Sequence, residues 1–360
     1  MNAIDKLQAV GTSTWLDDLS RDRINSGNLR RVISDKSVVG VTTNPAIFAH
    51  AMSQGSAYDD QIAALKEQGM PADEAVYEMS IQDVRDACDI FRDIYLETQG
   101  KDGRVSIEVD PRISDDAAAT LAQARTLWER VDRENLMIKI PATEGSLPAI
   151  SAALAEGISV NVTLIFSVER YGQVIEAYID GINAAYRNNL DVTKIHSVAS
   201  FFVSRLDTEI DARLEDIGTP EALAMRGKAG IANARVAYAL FADQFKSADM
   251  PAGAHIQRPL WASTGVKNPN YPATLYVTEL AGPLTVNTMP ESTIDATLEA
   301  EDIKGDTLSE AENDAAKVLS TLQDLGIDLP DVFEKLEAEG VEKFVAAWED
   351  LLESMGARLQ

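Results

Sequence analysis

The run Leu136-Met137-Ile138-Lys139-Ile140-Pro141-Ala142-Thr143-Glu144-Gly145 carries a lysine where a buried strand should carry another Val or Ile. It is too short and too apolar for a surface helix, so it reads as a central strand of a covered sheet. An amine in such a strand is costly, because desolvation disfavours its charged form. The same desolvation makes an amine a nucleophile able to form a Schiff base with a carbonyl. The plainer reading puts Lys139 at a strand end, with its stem buried and its ammonium in water. The neighbouring segments have to decide between the two.

Upstream, Thr12 to Leu16 reads as a short strand ending in Asp17-Asp18, before a mixed stretch from Leu19 to Ile33 that suits a helix. Asp17 is then an acid at a strand end or, more plainly, a turn or N-cap carboxylate. Ser37-Val38-Val39-Gly40-Val41-Thr42 is a β-branched strand stopped by Thr43-Asn44-Pro45, since proline removes a ladder donor and biases Asn44 away from helix. Asn44 serves as a turn residue or, with two threonines before it, lines a polar pocket. An amphipathic helix follows over about Asp73 to Thr98. Arg104 to Pro111 then alternates, with Ser106, Glu108 and Asp110 on one side and Val105, Ile107 and Val109 on the other. Glu108 is a second acid at a strand end, and the alternation also suits a solvent-facing carboxylate.

Downstream of a helix from Ser114 to Val131, the Lys139 strand leads to a small-residue helix over Ser146 to Glu156. Gly157 to Phe166 is another buried strand, with polar Asn161 and Thr163 on one side, and Ser167 caps a helix to about Arg187. Ile195 to Ala199 is the sixth strand, ending at Ser200-Phe201-Phe202-Val203-Ser204-Arg205-Leu206-Asp207; a further helix covers about Pro220 to Lys246. Pro259 to Thr264 and Gly282 to Asn287 complete eight, separated by a turn-rich stretch with Lys267. In the last helix Val341, Phe344, Val345, Trp348, Leu351, Leu352 and Met355 form one apolar stripe, and periodicity leaves open whether it meets the same chain or a second subunit.

A chain of 360 residues suits one large α/β barrel or two ordinary domains. No run approaches a membrane span, and Met1 to Val10 lacks a signal-peptide core, so a cytoplasmic protein is expected. The net charge of −26 argues against nucleic acid and anionic membranes as partners, and an anionic substrate would need local Arg or Lys groups to capture it. The single cysteine, Cys88, excludes an intrachain disulfide and shares a helical stripe with Val84, Phe91 and Tyr95, which makes it a core residue. His50, His196 and His255 belong to no metal motif, which leaves only scattered carboxylates as metal ligands, and neither a P-loop nor a dinucleotide fingerprint is present.

Eight strands alternating with helices predict a parallel sheet covered on both faces. At this length a closed (β/α)8 barrel fits better than an open sheet without a nucleotide motif. Asp17, Asn44, Glu108, Lys139, Asn161, Thr163 and Ser200 fall inside or at the carboxyl ends of six strands, where barrel enzymes assemble their sites. One amine among acids, amides and hydroxyls is the chemistry set of a class I aldolase. The imine is an electron sink beside the bond to be broken, and the carboxylates move protons.

Four blocks carry a family resemblance: Gly40 to Pro45, Ile138 to Thr143, Asn161 to Phe166 and Ala199 to Asp207. They resemble, in family order, the signature blocks of the transaldolases, and the similarity runs from about Thr12 to the final helix. The resemblance implies one (β/α)8 barrel domain over residues 1–360, C-terminal helices included, that needs no cofactor. It implies transfer of a dihydroxyacetone unit from sedoheptulose 7-phosphate to glyceraldehyde 3-phosphate, giving erythrose 4-phosphate and fructose 6-phosphate in the non-oxidative pentose phosphate pathway. By position, Lys139 would form the Schiff base, Asp17 would act as base in carbon–carbon cleavage, and Glu108 would work through a water held with Thr163. Asn44 and Asn161 would bind the dihydroxyacetone hydroxyls. Ser200 and Arg205 would hold the phosphate end, with Phe202 lining the pocket. Shorter transaldolases carry an arginine in an Ala-Ser-Phe-Arg-Asn run near the seventh strand. Here Ala262-Ser263-Thr264-Gly265-Val266-Lys267-Asn268 is longer and has lysine, as in a longer bacterial branch, so Lys267 is a candidate phosphate ligand without a bidentate fork.

Two other readings compete. A plain class I aldolase would release dihydroxyacetone instead of transferring it. A non-catalytic acidic barrel kept for binding would be expected to lack Lys139, Asp17 or Glu108, and all three are present.

Overall fold

Segments of five or six apolar and β-branched residues cannot each bury both faces alone, and here they do so by closing on one another. In the computed structural model, which describes residues 2–300 and 302–360, the strands are β1 (Thr12–Leu16), β2 (Gly40–Val41), β3 (Arg104–Glu108), β4 (Leu136–Pro141), β5 (Val160–Ile165), β6 (Ser197–Phe202), β7 (Arg258–Ala262) and β8 (Thr285–Met289). Met1, which opens the amino-terminal stretch read above, and Glu301 lie outside the described residues. The strands pair in parallel in sequence order and β8 returns to β1, so the expected (β/α)8 barrel is closed.

Several boundaries differ from the sequence reading, and the helices expected over Asp73 to Thr98 and Pro220 to Lys246 each divide in two. The second strand is two residues long, because Ser37 sits at φ 53° and turns the chain just before it. The sixth runs on through Ser200 to Phe202, which puts Ser200 inside the strand. The eighth begins at Thr285, because Pro283 cannot donate to a ladder and Leu284 is left-handed at φ 61°. The stretch from Leu19 to Ile33 divides into Arg21–Asn25 and Asn28–Lys36 around Gly27 at φ 72°.

Alternation sorts the strand side chains into two cores. Ile138 and Ile140 pack outward among the helices, whereas Met137 joins Trp15, Val198, Leu260 and Val286 from four other strands in the barrel interior. Lys139 lies two residues beyond Met137 and therefore points into that interior one layer higher. Cys88 is buried in the outer core, as its stripe predicts. The Leu329–Leu359 helix returns over the carboxyl ends of the strands and packs on the Pro45–Ser53 and Ala72–Ile90 helices. Trp348, Leu351 and Met355 are buried there, with Trp348 against Tyr77 at 5.1 Å between rings, so the stripe faces its own chain. Gly340 lets this helix come close: a Cβ there would meet Leu164 and Phe166 at 3.2 Å.

Candidate active site

Register builds the site before any side chain is considered. Glu108 pairs with Lys139, and Lys139 with Asn161, so three neighbouring strands place an acid, an amine and an amide side by side in one interior layer. Lys139 is 5% exposed, which excludes the strand-end lysine with its ammonium in water. Its Nζ donates to the Thr43 carbonyl at 2.6 Å and lies 3.1 Å from Glu108 Oε1. Glu108 is buried as well, so the solvent-facing reading of that strand fails. Its Oε2 accepts from Thr43 Oγ1 at 3.1 Å. Burial pushes the Glu108 carboxyl above its ordinary range, and Asp17 adds to the rise, while Lys139 and Thr43 oppose it.

Asp17 follows β1 at the same mouth, and its amide donates to Met289 of β8 at 2.8 Å. The residue is half-buried. Its carboxylate caps no helix and instead accepts from Thr42 Oγ1 at 2.7 Å. Burial raises this carboxyl too, against the pull of Lys139, Thr42 and Lys267. The threonine pair before Asn44 therefore serves both acids, Thr42 holding Asp17 and Thr43 holding Glu108 and Lys139. Asn44 spends its Oδ1 as the N-cap of the Pro45–Ser53 helix, accepting from Ile47 N at 3.0 Å, and keeps its amide donors.

Asn161 is held from both sides, with Nδ2 donating to Ser106 Oγ at 3.1 Å and Oδ1 accepting from Ser200 Oγ at 2.7 Å. The Ser200 proton is thus committed to Asn161. In this structure that hydroxyl orients the Asn161 amide. Thr163 Oγ1 is buried without a hydrogen-bond partner among the described residues. Glu108, Lys139 and Thr163 line a cavity of about 10 Å³, close to the size that holds one water, roofed by Val341 and Phe344 of the last helix. A larger cleft of about 760 Å³ lined by Asp18, Arg23, His50 and Glu291 contains none of these groups, so size does not mark the chemistry.

Arg205 begins the helix after β6 and lies over the Phe202 ring at 5.1 Å, while Phe202 packs on Phe166 at 5.2 Å. It forms no salt bridge among the described residues, and its Nη1 is buried without a hydrogen bond. Asp207 and Glu209 are engaged elsewhere, by Tyr276 and by Arg213 and Lys335. Burial lowers the affinity of Arg205 for its proton, with Glu339 and Asp17 acting in the other direction. Lys267 is exposed, and its charge reaches Asp17.

Residues 14–355 match the family described as Transaldolase/Fructose-6-phosphate aldolase. A protein named Transaldolase from Mycolicibacterium paratuberculosis is 57% identical over 358 residues, spanning 98% of this chain and 96% of its own. One of the same name from Mycobacterium tuberculosis is 56% identical over 358 residues, with the same coverage. The chain belongs to the transaldolase family.

Among the residues that resemblance to the transaldolases assigns, Lys139, Glu108, Asn161 and Thr163 come together in the interior, with Asp17 and Asn44 at the mouth. Arg205 and Phe202 form a cation–π pair, and among the described residues no hydrogen bond or salt bridge joins Lys267 to them. Sequence reasoning missed Ser106, which reads as an ordinary strand serine, and the roof formed by Val341 and Phe344. The apolar stripe of the last helix begins with those two residues, but periodicity does not reveal that the helix crosses the mouth.

Proposed function

We propose that this chain, as one barrel unit with its C-terminal helix, is a transaldolase that moves a dihydroxyacetone unit between sugar phosphates. Glu108 takes the proton from the Lys139 ammonium, and the free amine attacks the donor ketose carbonyl. Loss of water, with Glu108 supplying protons through a water held near Thr163, leaves a protonated imine. Asp17 then takes the proton of the C4 hydroxyl. The C3–C4 bond breaks toward the imine nitrogen, the first aldehyde leaves, and the enamine remains on Lys139. An incoming aldehyde is attacked by that enamine and receives the proton back from Asp17. Water finally hydrolyses the imine.

The buried Lys139–Glu108 pair at 3.1 Å, with Asp17 at the same mouth, is the observation that supports this reading most. Asn44 and Asn161 would bind the hydroxyls of the retained unit, and Arg205 and Lys267 the phosphate. Sedoheptulose 7-phosphate and fructose 6-phosphate are the donors, glyceraldehyde 3-phosphate and erythrose 4-phosphate the acceptors, and the reaction belongs to the pentose phosphate pathway of the cytoplasm. Among the described residues no helix is long and apolar enough to cross a membrane.

The family description also names fructose-6-phosphate aldolase, and the same lysine would serve release of free dihydroxyacetone. Names of relatives at 56–57% identity favour transfer. Borohydride reduction in the presence of fructose 6-phosphate is expected to add the retained three-carbon unit to the Lys139 peptide. A Lys139 peptide of unchanged mass after reduction would sink the mechanism. Accumulation of free dihydroxyacetone, with no erythrose 4-phosphate-dependent product, would select the aldolase.

A further inference from the structure

The lower mouth of the barrel, opposite Lys139, concentrates positive charge in a chain whose net charge is −26. Arg104 opens β3, Arg258 opens β7, and Lys101 stands on the loop leading into β3. Asp102 is the carboxylate set among them, and it is already engaged. It accepts from Ser13 Oγ at 2.8 Å and Trp15 Nε1 at 3.0 Å, and it pairs with Arg258 at 3.1 Å. Arg104 donates to the carbonyls of Gly100 and Glu134 at 2.7 and 3.1 Å, while its Nη2 is buried without a hydrogen bond among the described residues.

Two of the three histidines complete the cluster. The His196 and His255 rings stack at 4.0 Å and 21°. His255 Nε2 lies 2.9 Å from the Thr193 carbonyl, which can only accept, so that nitrogen carries the proton. Burial, then Arg104, His255 and Arg258, push the His196 imidazole well below its ordinary range, and burial followed by Arg258 lowers Lys101. Lys101, His196, His255 and Arg258 line a cavity of about 260 Å³. Gly100, at φ 81°, packs against the cluster: a Cβ there would lie 2.8 Å from His196 Nε2 and 3.0 Å from Arg104 Nη2, so glycine lets both nitrogens come close to the backbone.

We propose that this cavity is a second anion site, which binds a small phosphate dianion, free or as a phosphomonoester, at the end of the barrel away from Lys139. Fixed guanidiniums cannot shed their protons, and Asp102 supplies one negative charge among three cations, so a further anion relieves the repulsion that remains. A dianion also supplies acceptors to the Lys101 ammonium and the His196 ring, both of which line the cavity.

The chain has three histidines, so its imidazole NMR spectrum reports on this site directly. Orthophosphate and, in a parallel arm, glycerol 3-phosphate are titrated into the full chain at constant pH, against sodium chloride at matched ionic strength. Saturable shifts of His196 and His255 are expected in at least one arm, and the arm with the lower dissociation constant identifies the form of phosphate bound. Lys101 is exposed, so Lys101→Glu keeps the fold and should raise that constant roughly tenfold to a hundredfold, the loss of one charge-assisted contact. Arg205→Ala, at the other mouth, should leave it unchanged. The site does not exist if both signals stay fixed in both arms, if sodium chloride moves them equally, or if Lys101→Glu binds as tightly as the parent.

Discussion

The two mouths of this barrel carry inverse charge sets. Above, one amine, Lys139, stands among two acids, Glu108 and Asp17; below, one acid, Asp102, stands among two guanidiniums, Arg104 and Arg258. The upper acids can adjust by taking a proton, and burial moves both in that direction. Guanidiniums have no such freedom, so the neighbouring His196 and Lys101 move instead. Hydrogen bonding differs in the same sense. Asp102 accepts from three side chains, whereas among the described residues Thr163 Oγ1 and Arg205 Nη1 above, and Arg104 Nη2 below, are buried without hydrogen-bond partners. The acid below is therefore fixed by its partners, whereas hydroxyl and guanidinium groups above stay free to meet a substrate.

The sharpest way to break that contrast is to remove the amine. Lys139→Ala should abolish turnover and borohydride trapping while the chain stays folded, because the Glu108 left behind can take a proton. Lys139→Arg should be equally inactive, since a guanidinium stays charged. Turnover in either variant would remove the Schiff base from the mechanism. The acids should then fail separately: Glu108→Ala slows trapping itself, while Asp17→Ala still traps the donor but does not cleave it. Equal trapping rates in the two would end that division of labour.

At the lower mouth the same operation should cost stability instead. Asp102→Asn leaves Arg258 without its buried counter-charge and should destabilise the fold by about 3–5 kcal/mol, read from urea midpoints. Glu108→Gln should shift the midpoint far less. The reverse order would mean that the upper cluster is the structural one.

Arg205 tests whether the upper mouth also recognises phosphate. Arg205→Ala should raise KM for sugar phosphates by roughly tenfold to a few hundredfold, with little change for free dihydroxyacetone or fructose. Lys267→Ala should do less, because a point charge makes no fork. Equal damage to phosphorylated and free sugars would make Arg205 a structural residue.

The upper mouth was far more legible in the sequence than the lower. Lys139 and Asn161 each interrupt an apolar run and Glu108 continues an alternating one, so β-strand periodicity assigns each to a face. The two threonines before Asn44 likewise announced a polar pocket. Ser200 was placed outside its strand because Ser200-Phe201-Phe202 has no strand alternation, and only the ladder to β7 reveals that it continues. Nothing local marks Arg104 and Arg258 as a pair, since 154 residues separate strand starts that closure makes neighbours of one loop. His196 and His255 belong to no sequence motif, and only barrel closure stacks their rings.

The smallest expected effect separates the mouths by the sign of their response to pH. Glu108 and Asp17 are raised, so the folded chain binds more protons than the unfolded one through the carboxylate range. Their contribution to stability is full below the unfolded values and is lost as pH rises through the folded ones. His196 is lowered from 6.5, so its contribution is present above pH 6.5 and is lost as pH falls below it, because the unfolded chain takes up a proton that the folded chain refuses. One such proton is worth up to about 1.4 kcal/mol per pH unit. His196→Asn should therefore lose less stability than the parent between pH 7 and 5.5, by roughly 1 kcal/mol, when urea midpoints are compared at the two values. Taking the difference cancels the upper acids, which lie too far away to couple. Parallel losses in parent and variant would mean that the folded chain protonates His196 freely, and the positive field at the lower mouth would then be too weak to attract an anion either.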